Sequence, residues 1–406
     1  MLHLGIIREG KVPSDARAPL TPSQCAQIMA TLPVHIVVQP SPVRCFKDDE
    51  YRQAGIEVTD DLSGCSIILG VKEVPVSQLL SGKTYLFFSH TIKKQHYNRT
   101  LLQTILAKNI CLIDYEAITD DKHDRLVAFG FYAGVVGAHN AMWTYGKRSG
   151  TFTLPRLCEL HDYAEAKHTY KALQLPPVRI ALAGGGRVAS GAIRNLHDMG
   201  IRGVSPRDFL KHDYDHPVFT QLHAQDYVEH HEGQRIFNKQ HFYAHGEEYR
   251  SIFAPYAHRA DIFINAIYYD PKAPRFFERE DMTALNFSIQ VVGDLSCDIM
   301  PDASVPCTLR PSSITDPVYG FDPQTGESTA PFSKGSVDVV AIDNLPSELP
   351  RDASEFFGRQ LIDHVLPEIL HAGDSAMLHR ATICSGGTLN KPFEYLQDYV
   401  HGSVAT

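Results

Sequence analysis

The sequence predicts an α/β protein of two Rossmann-like domains, each built on a mostly parallel sheet, with a cleft between them. Three observations carry that expectation. At 406 residues the chain exceeds what one hydrophobic core usually supports. Its first 130 residues alternate short apolar runs with helical segments, the signature of βαβ units. A second such series begins with a glycine-rich turn, "VRIALAGGGRVASGAIRNL".

Along the first series, "LHLGIIRE" reads as a strand. In "TPSQCAQIMATL", Thr21 is a candidate N-cap, Pro22 stands at the first helical position and Gln24 closes a capping box. "VHIVVQP", "SIILGVK", "TYLFFSH" and "NICLIDYE" follow as strands, the last two separated by the helical "NRTLLQTILAKN". Residues 129 to 146 are long and rich in small apolar side chains, and predict a buried helix linking the domains. The second series runs through "VRIALAGGG", "ADIFINAIYY" and "SIQVVGDLS". Residues 299 to 335, dense in Pro, Ser, Thr and Asp, read as loops. "SVDVVAIDNLP" then predicts a strand, and "DASEFFGRQLIDHVLPEIL" a helix with Phe356, Phe357, Leu361, Val365, Leu366 and Ile369 at helical spacing. The closing "ICSGGTLNKPFEYLQDYV" reads as a loop and a helix. The expected domains are 1–130, completed by 336–406, and 131–335.

A net charge of −9 and the lack of a long basic run argue against a nucleic-acid surface. No apolar run approaches the roughly 20 residues of a bilayer span, and the N-terminus lacks the pattern of a signal sequence, so a cytoplasmic protein is expected. The eight cysteines are scattered without a C-x-x-C, which predicts reduced, mostly buried thiols. "EHHEG" at 229–233 resembles a ligand cluster, but its polar neighbours favour an exposed loop or helix end, and no metal is assigned.

Gly184, Gly186 and Ala189 form a G-x-G-x-x-A turn between a strand and a helix that carries Gly191 in its first turn, with Arg187 between them. The glycines permit close backbone approach, and the helix N-terminus offers free N–H groups to a pyrophosphate. About 20 residues past the first glycine, where an acid would hold the adenosine ribose, stand Val204 and Ser205, with Arg207 nearby. That arrangement favours NADP, with NAD left open because Asp208 is adjacent.

Lys72 and His90 end successive strands, Glu73 follows the lysine, and Glu116 ends the next strand. Ligands of parallel α/β sheets bind at the carboxyl ends of strands, so an amine, an imidazole and carboxylates converge there. Such a set suits proton transfer around carbonyl, carbinolamine or imine chemistry. Arg17 and Arg125 are candidate carboxylate clamps. Asp294 and Asp298, after the "SIQVVGD" strand, are candidates for the nicotinamide side.

These residues carry a resemblance. "LGIIREGKVPSDARAPLTPSQ" resembles the opening of the alanine dehydrogenase and transhydrogenase superfamily. "ILGVKEVP", "KTYLFFSHTIKKQ", "LIDYE" and "RLVAFGFYAGVVGA" are similar to lysine-forming saccharopine dehydrogenase and, more closely, to the lysine-ketoglutarate reductase half of aminoadipate semialdehyde synthase. "INAIYYDPKAPR", "AIDNLPSELPRDASEFFG" and "ICSGGTLNKPFEYLQ" extend the likeness to the end of the chain. The resemblance implies reductive joining of lysine and 2-oxoglutarate to saccharopine by NAD(P)H, or the reverse. It implies Lys72 and His90 as the acid-base pair, Glu73 and Glu116 as carboxylates tuning the lysine, and Arg17, Lys11 and Arg125 as substrate-carboxylate contacts. Asn265 falls in a matching cofactor segment. "VVGDLSCDIMPDASVP" departs from the family's usual Asp-hydrophobic-Ser-Ala-Asp run, which leaves open a related opine-type or amino-acid dehydrogenase with another amine, or a dinucleotide-binding regulator. A homo-oligomer is also left open.

Overall fold

The computed structural model describes residues 1–233, 236–371 and 375–402. The chain divides into two compact units: Met1–Phe129 with the described residues from Pro350 onward, and Gly130–Leu349.

In the first unit, β1 (Leu2–Ile6), β2 (Val34–Val38), β3 (Glu57–Val58), β4 (Ile67–Leu69), β5 (Thr84–Phe87) and β6 (Cys111–Asp114) form a parallel run in the order β6-β5-β4-β1-β2-β3. The helix Pro22–Thr31 starts as its sequence predicts. Thr21 Oγ1 accepts from Gln24 N, and the Gln24 side chain accepts from Thr21 N. The apolar stripe of the C-terminal helix buries Phe357, Leu361, Val365 and Leu366, while Phe356 remains 36% exposed.

The tail "ICSGGTL", expected as loop, supplies two further strands. Thr382–Ser385 pairs antiparallel with β6, and Thr388–Leu389 folds back on it. Gly386 and Gly387 both have positive φ (56° and 80°), the two-residue turn that such a hairpin requires.

The second unit carries β7 (Arg179–Ala183), β8 (Arg202–Val204), β9 (Val218–Leu222), the hairpin β10 (Val228–His230) and β11 (Tyr249–Ser251), then β12 (Ile262–Asn265), β13 (Val291–Asp294), β14 (Tyr319–Asp322), β15 (Glu327–Thr329) and β16 (Val337–Val340). Its main sheet runs β15-β14-β16-β13-β12-β7-β9-β8, parallel from β16 to β8.

Four expectations change. Residues 336–349 belong to the second unit, not the first, because β16 completes this sheet beside β13. The helix Gly130–Ser149 is no linker: it lies wholly in the second unit, packed on the helix Arg187–Asp198. The stretch 299–335 contains β14 and β15, an antiparallel hairpin on the sheet edge. Finally, "EHHEG" is neither exposed loop nor helix end at His230, which closes β10, is buried and bonds Glu248 at 3.2 Å.

Among the described residues no helix is long and apolar enough to cross a membrane, and no group of three or more His, Cys, Asp or Glu could hold a metal ion. All eight cysteines are unbridged; four are buried and only Cys158 is exposed.

Candidate active site

In the first unit, Leu69, Leu86 and Ile113 stand in register on β4, β5 and β6, so the chain leaves three adjacent strands at one level. Lys72, His90 and Glu116 lie two or three residues past those ends. β1 leaves the sheet beside β4 and leads to Glu9, Lys11, Asp15 and Arg17. The carboxyl-end rule therefore gathers residues from four neighbouring strands of one sheet.

Glu9 fixes the turn that bears the lysine. Its carboxylate accepts from the backbone N–H of Val71 at 2.7 Å and of Lys72 at 2.9 Å. Burial of the carboxyl head pushes its pKa up to about 7 against the pull of those two amides. The Lys72 ammonium has no hydrogen bond or ion pair among the described residues. Burial, then the charges of Arg17 and Lys11, bring it down to about 8.

Glu73 does not pair with its neighbour Lys72. Lys72 lies in the bend past the end of β4 and Glu73 directly follows it, and the bend turns the two side chains to different surroundings. Its carboxylate instead accepts from Lys11 Nζ at 2.8 and 3.1 Å and meets His90 Nδ1 at 2.6 Å. His90 reaches it from a left-handed backbone conformation (φ 52°), uncommon outside glycine, with its ring stacked 6.4 Å from Phe88. Burial alone would raise the Glu73 pKa, but the His90 and Lys11 hydrogen bonds outweigh it and bring the carboxyl down to about 2. Folding thus excludes a proton between the ordinary carboxyl range near 4.5 and about 2. The resulting stabilisation is full above the higher value and lost as pH falls to the lower. Glu73→Gln should lower unfolding free energy by on the order of 2 kcal/mol at pH 6. That deficit should shrink as pH falls through 4.5 towards 2; urea unfolding of both proteins across that range checks it, and a pH-independent deficit would contradict it.

Glu116 is held by Lys93 (3.4 Å) and Arg125 (3.5 Å), both partly exposed, while its Oε2 is buried with no hydrogen-bond partner among the described residues. Asp114, buried beneath, accepts from the Glu116 N–H at 2.8 Å and from Ser89. Arg17, expected as an open carboxylate clamp, is 2% exposed. It forms a two-pronged pair with Asp15 (3.0 and 2.6 Å) and lies 4.2 Å over the Phe129 ring. Sequence reading missed Glu9 and Asp15; their spacing from the strand end carried no signal without the fold.

In the second unit, Gly184 follows β7 with φ 130°, and a Cβ there would lie 2.5 Å from the Ala266 carbonyl oxygen. Gly186 caps the twelve-residue helix Arg187–Asp198, and a Cβ on it would meet nothing within 4 Å. Arg187 opens the helix and Ala189 is buried. The open space above a free helix N-terminus fits a dinucleotide pyrophosphate. Gly191 serves packing: a Cβ there would lie 1.8 Å from the Phe131 carbonyl oxygen.

Ser205 caps the short helix Pro206–Lys211 by accepting from the Asp208 N–H at 3.1 Å, and donates to the Asp208 carboxylate at 2.8 Å. It and Arg207 follow β8, the outermost strand, separated from β7 by β9. Asn265 and Asp294 are fully buried and bonded to each other at 2.8 Å. Asp294 also accepts from Ser296 (2.8 Å) and Thr308 (2.6 Å), and Asn265 donates to Ser304 at 2.8 Å. This network ties the end of β12 to the loop after β13. Asp298, on the following loop, is half-buried.

Two parallel α/β units, one with titratable groups at its strand ends and one with a glycine turn, define the alanine dehydrogenase and transhydrogenase fold. Residues 5–136 match the family described as alanine dehydrogenase/PNT, N-terminal domain. A solved L-alanine dehydrogenase superposes with TM-score 0.66 at 15% identity, over 99% of this chain and all of that one. Within that fold, the chain is a homologue of the aminoadipic semialdehyde synthases and saccharopine dehydrogenases. The alpha-aminoadipic semialdehyde synthase of Arabidopsis thaliana is 30% identical over 97% of this chain, which spans 41% of that protein. The saccharopine dehydrogenase [NAD(+), L-lysine-forming] of Emericella nidulans is 26% identical, covering 89% of this chain and 90% of its own length. The resemblance read from the motifs is borne out.

Proposed function

We propose that the chain is an oxidoreductase acting on a CH–NH bond, interconverting lysine, 2-oxoglutarate and NAD(P)H with saccharopine, NAD(P)+ and water. The observation that carries this reading is the Lys72 ammonium, without a hydrogen bond or ion pair among the described residues, next in sequence to a carboxylate that binds the His90 ring at 2.6 Å. The names of the relatives above support the choice of substrates.

Joining the two substrates needs protons moved in both directions. The lysine ε-amine loses a proton as its nitrogen attacks the keto carbon. The former keto oxygen, protonated to the carbinolamine hydroxyl, gains a second proton and leaves as water as the nitrogen gives up its remaining proton, giving the imine. Bound NAD(P)H would supply the hydride for the imine carbon, with a proton added at nitrogen. His90, its Nδ1 held by Glu73, presents its other ring nitrogen as acceptor from the incoming amine. Lys72, with its proton less tightly held than an ordinary ammonium, donates to the leaving oxygen. Lys11, Lys93 and Arg125 supply positive charge for substrate carboxylates, while Arg17 works from behind by holding Asp15.

Following the absorbance of NADH or NADPH with purified protein tests this. Oxidation should require lysine and 2-oxoglutarate together. Oxidation with another amine but not with lysine would sink the reading.

A further inference from the structure

Where the first sheet delivers Lys72, a side chain takes over from a strand. β1 pairs with β4 as far as Ile6 and Leu69, and Ile7 N then donates to Leu69 O at 3.0 Å. On the other side Gly70 N donates to Leu86 O at 2.9 Å, and Phe88 N donates to Val71 O at 3.0 Å. The next two amides, of Val71 and Lys72, donate instead to the Glu9 carboxylate, one to each oxygen, at 2.7 and 2.9 Å. A residue three positions past the end of β1 thus continues the pairing that the strand itself has left.

The segment around Glu9 is braced against the segment around Lys72 at neighbouring points. A Cβ on Gly10 would lie 2.7 Å from Pro75 Cγ and 2.7 Å from Gln78 Nε2, and one on Gly70 would lie 3.2 Å from Ile7 Cγ2 and 3.6 Å from Glu9 Oε1. Lys11 pairs with Glu73 at 2.8 Å. Lys72 itself ends in an ammonium with no hydrogen bond or ion pair among the described residues. No side-chain partner therefore aims that ammonium. Its direction is set by the turn beneath it, and the amides of that turn are held by one carboxylate.

Misplacing a reacting group by about 1 Å costs on the order of 10²-fold in rate. We propose that Glu9 is a positioning residue for proton transfer by Lys72: its two oxygens fix the Val71–Lys72 turn, and it acts through the lysine without exchanging the proton itself. This rests on the CH–NH reading of the site given above. A carboxylate suits the task because it accepts at both oxygens. Gln keeps the volume and one acceptor but sets an NH2 group against the second amide N–H.

Rates of saccharopine oxidation with NAD+ or NADP+ at high pH, where Glu9 is ionised and the Lys72 amine neutral, test it. Glu9→Gln should lower kcat by about 10- to 100-fold and leave KM for the dinucleotide unchanged. In a Lys72→Met background the same substitution should change kcat by less than about twofold, because no amine remains to be positioned. Thermal melting of each variant establishes that it is folded under assay; if Glu9→Gln is not, Glu9→Asp, whose shorter side chain cannot span both amides, takes its place in the same comparison. An equal fall in both backgrounds would make Glu9 a general support of the fold and overturn the proposal, as would wild-type kcat in folded Glu9→Gln; both results leave the CH–NH reading intact. No oxidation of saccharopine by the wild type would remove that reading and the proposal with it.

Discussion

Lys72→Met should lower turnover in the lysine and 2-oxoglutarate reaction by roughly 10²- to 10⁴-fold, the range general acid-base groups contribute. The variant should fold normally, because Met fills much of the same volume and Lys72 Nζ has no hydrogen bond or ion pair among the described residues to leave broken. Dinucleotide affinity should be unchanged, since the glycine turn belongs to the other unit. The pH dependence separates proton transfer from substrate holding. In the saccharopine-oxidising direction Lys72 must be neutral to accept a proton, so the wild-type kcat/KM should rise through about pH 8, and that limb should vanish in the variant. Wild-type turnover, or a retained limb, would remove Lys72 from the chemistry.

Gly191→Val should unfold or severely destabilise the second unit, by about 3 kcal/mol or more. The first carbon of any side chain at Gly191 would sit 1.8 Å from Phe131 O, and Gly134 meets Val188 O reciprocally at the same distance. The two helices would have to separate, opening a core that includes Val135, Ala138, Ala192 and Leu196. Gly186→Ala is the contrast. Its Cβ would meet no protein atom within 4 Å and the backbone φ is −93°, so stability should fall by at most about 1 kcal/mol. The added methyl would occupy the space a pyrophosphate needs, and affinity for the reduced dinucleotide, NADH or NADPH, should fall instead. Denaturant unfolding and dinucleotide titration of both variants check the division. Weakened dinucleotide binding with intact folding in Gly191→Val would contradict it.

What was legible in the sequence was local or periodic. The Thr21 and Gln24 cap, the parallel strands and the placement of Lys72, His90 and Glu116 at their ends all follow from patterns a few residues long. What was not legible depends on contacts between distant segments. Nothing in "RGVSPRDFL" tells that its strand lies outside β9, because strand order is set by which sheet edge the chain returns to. Glu73 reads as a carboxylate tuning its neighbour Lys72, yet the fold brings its hydrogen-bond partners, Lys11 and His90, from 62 and 17 residues away. The burial of Asp294 and its hydrogen bonds to Asn265 and Thr308 could not be read from its place after a strand. The Ser-Gly-Gly-Thr hairpin near the C-terminus carried a readable turn signal that the surrounding polar residues obscured.

The most direct test of the account is the identity of the product. Wild-type protein incubated with lysine, 2-oxoglutarate and NADH or NADPH should yield saccharopine, identified by mass spectrometry, in amounts matching the reduced cofactor consumed. Lys72→Met should form it at a small fraction of that rate. Binding of either reduced dinucleotide with no saccharopine formed would contradict the assignment of this chemistry to the chain.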